Sequence, residues 1–237
     1  AGVFQAVEKN LCKYGMLPIE NSLHGTVTEV YDLMRNHNFY ILRSVKMQIN
    51  HVLLGLPGTK LNRIKEIYSH EQALWQCGNF LKNLPGVKLN VCENTAVAAK
   101  KVVEAGSPEI AAISSENCAK LYGLHKLHAD IQNSDCNYTR FICIGKEMAI
   151  YPGADRISIM VSVSHEPGSL YRLIAKFAAL GVNLLKLESR PVEGRDFEFL
   201  FYLDFESSLY SPEIIQLLNE LAVSNESFVF LGGYNQV

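Results

Sequence analysis

RISIMVSVSHEPGSLYRLIAKFAALGVNLLKLESRP, residues 156–191, decides the architecture of the C-terminal part of the chain. Arg156–Ser164 alternates strictly, with Ile157, Ile159, Val161 and Val163 on one side, as a strand with one buried face does. His165-Glu166-Pro167-Gly168 reads as a turn into a helix over Ser169–Leu180, which Gly181 ends. Val182–Glu188 reads as a second strand. Phe197–Phe205 (FEFLFYLDF) alternates again, Glu213–Ser224 has helical spacing, and Phe228–Tyr234 is a last strand. The order βαββαβ is the split arrangement of ferredoxin-like domains.

Working back from Arg156, Lys146–Asp155 contains Tyr151-Pro152-Gly153 and has no period, so a domain boundary is placed near 150. This gives domains 1–150 and 151–237. Before it, strand-like and helix-like runs alternate. Tyr14–Ile19 reads as a strand and Thr26–Arg35 as a helix with Thr26 at its N-cap and Glu29 three residues on. Phe39–Leu56 reads as extended and Ile64–Tyr68 as a short strand. Ser69 caps a helix over His70–Lys82. Val87–Cys92 is a strand, and Asn94 or Thr95 opens a helix that ends near Gly106. Glu109–Ile113, Leu124–Ala129 and Thr139–Gly145 are further strands. Repeated βα units imply an α/β domain with a parallel or mixed sheet. Sites in such sheets gather at strand carboxyl ends and adjoining helix starts.

Composition narrows the function classes. Of 237 residues, 48% are hydrophobic and 19% charged, which supports a packed core and excludes a disordered chain. Lys and Arg number 22 against 24 Asp and Glu, so no positive field marks a nucleic-acid binder. No apolar run approaches the roughly 18 residues of a membrane span, so no membrane partner is expected. The six cysteines form no C-x-x-C pair and are expected to be reduced, mostly buried thiols of a cytoplasmic protein. His125 and His128 are three apart in a strand and point to opposite faces, so no metal site is expected.

Four polar clusters sit beside predicted strand ends: Pro18-Ile19-Glu20-Asn21-Ser22, Ser69-His70-Glu71-Gln72 with Gln76 beyond, Glu93-Asn94-Thr95, and Asn137-Tyr138-Thr139-Arg140-Phe141. Each alone reads most simply as capping or turn chemistry. Helix starts converging at one sheet edge would also suit an anionic ligand.

Taken in order, these clusters resemble prephenate dehydratase. The matching pieces are YGMLPIENSLHGTVTEVYDLM (14–34), YSHEQALWQC (68–77), CENTAVAAKKV (92–102), AAISSENCAKLYGL (111–124) and NYTRFICIG (137–145). Residues 156–191 resemble the family's C-terminal ACT domain. The family's first strand and glycine-rich loop, which precede the matching part, are absent from the match. The resemblance implies a two-lobed catalytic domain of the periplasmic-binding-protein type followed by the ferredoxin-like ACT domain. It implies decarboxylating dehydration of prephenate to phenylpyruvate, water and CO2, with no cofactor. A homodimer or homotetramer is expected. The rival readings are arogenate dehydratase and a non-catalytic amino-acid-sensing module.

Aromatisation drives the reaction, so the protein must hold a dianion and help hydroxide leave. Arg140 suits a substrate carboxylate, because guanidinium binds it bidentately. By resemblance Thr139 contacts the departing hydroxyl. A threonine is a poor acid, so Thr139 is expected to donate a hydrogen bond or relay a proton. Glu93 and Glu20 are candidate proton sources if burial raises their pKa. Asn21, Ser22, Ser69, Gln76 and Phe141 match further substrate-binding positions. His70 and Trp75 are read as structural. In the second domain, the resemblance places an L-phenylalanine effector site across a dimer interface, at Pro167, Gly168, Ser169 and Leu170 and at Glu188, Ser189, Arg190 and Pro191. Read without it, Gly168 permits a tight turn and Arg190 makes an ion pair.

Overall fold

A computed structural model describes residues 1–192, 199–225 and 227–237. The chain forms two compact units. One combines Ala1–Met47 with Thr139–Val237, and the other is Gln48–Tyr138. The boundary expected near 150 falls inside the first unit.

The chain begins in the first unit with α1 (Gly2–Glu8), β1 (Tyr14–Asn21), β2 (Gly25–Thr26), α2 (Thr28–Met34) and β3 (Tyr40–Gln48). Thr26 does not cap α2. It lies in β2, paired with Glu20, and Val27 takes the N-cap position. The Thr26 hydroxyl accepts from Lys186 Nζ at 2.7 Å and donates to Glu188 Oε2 at 2.8 Å, long-range partners that no local pattern encodes.

The second unit holds β4 (Val52–Gly55), β5 (Glu66–Ser69), α3 (Glu71–Gln76), α4 (Gly78–Leu81), β6 (Lys88–Val91), α5 (Thr95–Ala105), β7 (Ile110–Ser114), α6 (Glu116–Tyr122) and β8 (His125–His128). Its sheet order is β6-β5-β7-β4-β8, with β5 parallel to β6 and β7 and with β4 antiparallel to its neighbours. The helix expected over 70–82 is broken at Cys77. Asn133 enters the break: its N–H donates to Gln76 O at 2.6 Å, its Nδ2 donates to Trp75 O at 3.2 Å, and its Oδ1 accepts from Asn79 N at 2.9 Å. His70, not Ser69, is the N-cap, accepting from Gln72 N.

Returning to the first unit, the chain adds β9 (Tyr138–Gly145), β10 (Arg156–Ser162), α7 (Ser169–Ala179), β11 (Leu184–Pro191), β12 (Phe199–Glu206), α8 (Pro212–Ser224) and β13 (Phe228–Tyr234). Of the strand expected from Phe197, residues 197 and 198 lie outside the described residues. Strands β2-β1-β9-β3 form one sheet and β11-β12-β10-β13 another. The second has the ferredoxin-like order. One of its faces, through Ile157, Ile159, Val161, Leu203 and Phe205, packs on α7 and α8. The other face is buried too. Met160, Leu200, Tyr202, Leu231 and Tyr234 share a core with Phe4, Ile19, Tyr31, Met34 and Ile142 of the preceding elements. That shared core is why the C-terminal sheet and the first sheet count as one unit.

None of the six cysteines forms a disulfide. Cys77, Cys92 and Cys118 are buried, Cys12 and Cys143 partly so, and Cys136 is exposed, so burial is less general than expected. Burial pushes the Cys77 thiol up to about 12. Among the described residues no helix is long and apolar enough to cross a membrane.

Candidate functional site

The predicted residues divide between the units. In the first unit β1 and β9 run antiparallel, and their register sets Asn21 opposite Thr139 and Glu20 opposite Arg140. Asn21 Nδ2 donates to Thr139 Oγ1 at 2.9 Å. The amide cannot be reversed, because Asn21 Oδ1 accepts from Leu23 N at 3.0 Å and His24 N at 3.1 Å. Thr139 oxygen is therefore an acceptor toward Asn21, and its own proton is directed elsewhere. Ser22 follows on the exposed turn, and Phe141 lies opposite Pro18.

Side chains on a strand alternate, so Arg140 leaves on the face opposite Thr139. It ion-pairs with Asp204 of β12, both side chains being about nine-tenths buried. Burial works against the guanidinium charge, but Asp204 together with Tyr234 and Tyr31 outweighs it, and Arg140 holds its proton more tightly than usual. Asp204 thus takes Nη2 of the guanidinium expected to bind a substrate carboxylate, while its buried Nε has no hydrogen-bond partner among the described residues. Glu20, on the same face, holds Lys186 at 2.9 Å through Oε1.

In the second unit, the carboxyl ends of the parallel strands β5, β6 and β7 lie at one sheet edge. This brings Ser69, Glu93 and the start of α5 together there. Ser69 is fully buried and donates to Ile113 O at 2.7 Å, so it ties β5 to β7. Asn94 caps α5, accepting from Val97 N at 2.8 Å. Glu93 is exposed, so the burial that would make it a proton source is not present. Gln76 is buried, and its Oε1 accepts from Asn137 Nδ2 at 3.0 Å and meets His51 Nε2 at 2.7 Å. Burial lowers the His51 pKa below its usual value. A neutral ring with Nε2–H as donor fits that contact. Sequence reading missed His51 and Asn137 as partners of Gln76; His51 is marked only as a polar residue before the apolar run 52–54, and Asn137 only as a member of a polar cluster. Trp75, expected to pack, is 74% exposed. Among the described residues no group of three or more His, Cys, Asp or Glu could hold a metal ion.

Residues 1–149 match the family model described as prephenate dehydratase. The chain belongs to the prephenate dehydratase family. It is 39% identical over 248 residues to arogenate dehydratase/prephenate dehydratase 1, chloroplastic, of Arabidopsis thaliana, covering 98% of this chain and 63% of that one. It spans about three-fifths of the length of the curated relatives it matches. The solved prephenate dehydratase of Arthrobacter aurescens, in complex with L-Phe, is 30% identical with a TM-score of 0.88, covering 98% of this chain and 78% of that one. A structure described as GqqA, a novel type of quorum quenching acylase, is 30% identical with a TM-score of 0.89, covering 99% and 86%. The fold is thus the prephenate dehydratase architecture, a periplasmic-binding-protein-like part with an ACT domain.

Within the ACT domain of this dehydratase-family chain, Gly168 is the N-cap of α7 and has φ +83°, a conformation that favours glycine. Ser169 is buried and meets Ser164 Oγ at 3.0 Å, while Arg172 donates to Ser169 Oγ at 2.8 Å and to Pro167 O at 3.3 Å. Ser169 and Leu170 line a hollow of about 120 Å³ with Phe199 and Phe201. Glu188, Ser189, Arg190 and Pro191 end β11 at the same sheet edge, with Leu200 of β12 between Ser162 and Arg190. Arg190 grips Asp32 of α2 through two bonds of 2.7 and 2.8 Å, the ion pair that reading without the resemblance anticipated.

Proposed function

We propose that the chain catalyses the decarboxylating dehydration of prephenate to phenylpyruvate, water and CO2, and that L-phenylalanine bound at the ACT domain regulates it. The observation that carries this is the Asn21–Thr139 hydrogen bond at paired strand ends, in a chain of this family. In the reaction the bond from the ring carbon to the carboxylate breaks, and its electron pair enters the ring. The ring C–O bond opposite breaks, and the departing oxygen takes a proton. Thr139, its oxygen already accepting from Asn21, is a polarised donor aimed at that oxygen. Ser69 and Gln76 keep the orienting roles that the resemblance implies, whereas Glu93, which is exposed, is assigned no role as proton source. Glu20 and Arg140 are assigned to anchoring rather than to chemistry, because Lys186 and Asp204 hold them.

Acylase activity, which is named for GqqA, is not favoured. A threonine nucleophile gives its proton to a base, and among the described residues no base accepts from Thr139, whose side-chain partner is the donor Asn21. The test is phenylpyruvate formation from prephenate by the full chain, with arogenate assayed in parallel and Thr139→Val as control. Product formed faster than with Thr139→Val supports the reading. Equal rates remove Thr139 from the mechanism, and a preference for arogenate replaces the substrate. L-Phenylalanine should change the rate or the thermal midpoint, and no effect on either rejects the regulatory part.

A further inference from the structure

Glu20 and Arg140 precede and follow the reactive pair by one residue each, and they face each other across the β1–β9 ladder. Both leave toward the ACT sheet, to different strands. Arg140 reaches Asp204 of β12, and Glu20 reaches Lys186 of β11. Side-chain exposures are 11% for Arg140, 10% for Asp204 and 13% for Lys186, so three of the four charged groups are shielded from water. Each ACT partner is itself fixed. Asp204 Oδ1 accepts from Ser158 Oγ at 2.5 Å, which meets Tyr234 Oη at 2.7 Å. Lys186 also donates to Thr26 Oγ1 at 2.7 Å.

We infer that Asp204 and Lys186 are positioning residues for the Asn21–Thr139 hydrogen bond, acting through Arg140 and Glu20. Two charged pins from neighbouring ACT strands hold one rung of the β1–β9 ladder. The next rung is Asn21–Thr139, so its separation follows from where the pins sit. A shielded ion pair adds little stability over apolar packing, but it specifies geometry. A hydrogen bond of this kind weakens steeply as it lengthens, and misplacement of about 1 Å can cost roughly 100-fold in rate. The inference rests on the reading that Thr139 contacts the departing hydroxyl.

The test uses the full chain with Arg140→Met/Asp204→Leu, which removes both charges together so that neither is left unpaired, and separately with Lys186→Met. We would measure thermal midpoint, kcat and KM for prephenate, and hydrogen exchange of the Asn21 side-chain amide by NMR. The expected result is a folded double variant with kcat down at least ~10-fold, KM within ~3-fold, and faster Asn21 amide exchange. Lys186→Met should shift the same quantities in the same direction. Unchanged kcat and unchanged amide exchange in a folded variant would overturn the inference, as would a raised KM at unchanged kcat, which makes Arg140 a substrate contact. If the double variant does not fold, Lys186→Met decides by the same criteria. If wild type makes no phenylpyruvate, the dehydratase reading fails, and the amide exchange alone still decides whether the pins set this bond.

Discussion

Asn21 fixes what Thr139 is able to do. With Oδ1 taken by Leu23 N and His24 N, its Nδ2 must donate to Thr139 Oγ1, and the threonine proton is left for another acceptor. Asn21→Asp keeps the shape but removes the donor, so Thr139 would turn its proton onto the new carboxylate. The expected loss in kcat is about 100-fold or more, with Thr139→Ser retaining most activity and Thr139→Val little. Activity at wild-type level in Asn21→Asp would show that donor direction does not matter. His51 offers a second test. Burial lowers its pKa in the folded chain, so the folded state keeps it neutral while the unfolded state takes up a proton below about pH 6.5. Its contribution is therefore fully present above that pH and is lost as pH falls toward the folded pKa, by at most about 1.4 kcal/mol per pH unit. His51→Gln should have a flatter decline in urea midpoint between about pH 7 and pH 5.5 than wild type. Parallel declines would place the proton uptake on other groups.

Strand β13 passes the first sheet so closely that a Cβ at Gly232 would lie 2.2 Å from Ile41 O. That atom is backbone and cannot rotate aside. Gly232→Ala should cost roughly 2–3 kcal/mol, and the thermal midpoint should fall by about 5–10 °C. An unchanged midpoint would mean that β3 and β13 can separate freely. Nothing local to Gly232 announces this contact, and the same limit explains which elements were legible. The alternation of Arg156–Ser164 gave the β10 strand within two residues, because one face meets α7 and α8. It could not reveal that Ser158 and Met160 on the other face are buried as well, since their partners lie far off in sequence. The run Phe39–Leu56 read as one extended piece, yet it crosses from one unit to the other between Met47 and Gln48. Asn94 at the start of α5 and Gly106 at its end were readable because caps are local. The break at Cys77 was not, because Asn133 imposes it from a distant loop. The site followed the same rule. Strand-end placement of Asn21 and Thr139 was visible in the sequence. The turning of Arg140 toward Asp204 required knowing what covers the opposite face of β9.

One apolar core unites the first sheet with the ACT sheet, running from Phe4 and Met34 to Met160, Tyr202 and Tyr234. The Arg140–Asp204 pair lies between those sheets. The family model ends at residue 149, but the packing does not stop there, since residues on both sides of it share this core. Cooperative unfolding follows shared burial, so the first unit should open as one body although it is built from separated stretches of chain. Asp204→Asn tests this, because it leaves the Arg140 charge buried and unpaired. Such a change typically costs about 3–5 kcal/mol. The backbone amides of β1, β9, β10 and β12 should then exchange faster by a common factor, well over 100-fold if the full cost falls on opening of the unit. The amides of β5 and β7, in the other unit, should change much less. Acceleration confined to β10 and β12, with β1 and β9 as slow as before, would mean that the two sheets open independently and that the shared core does not bind them into one cooperative body.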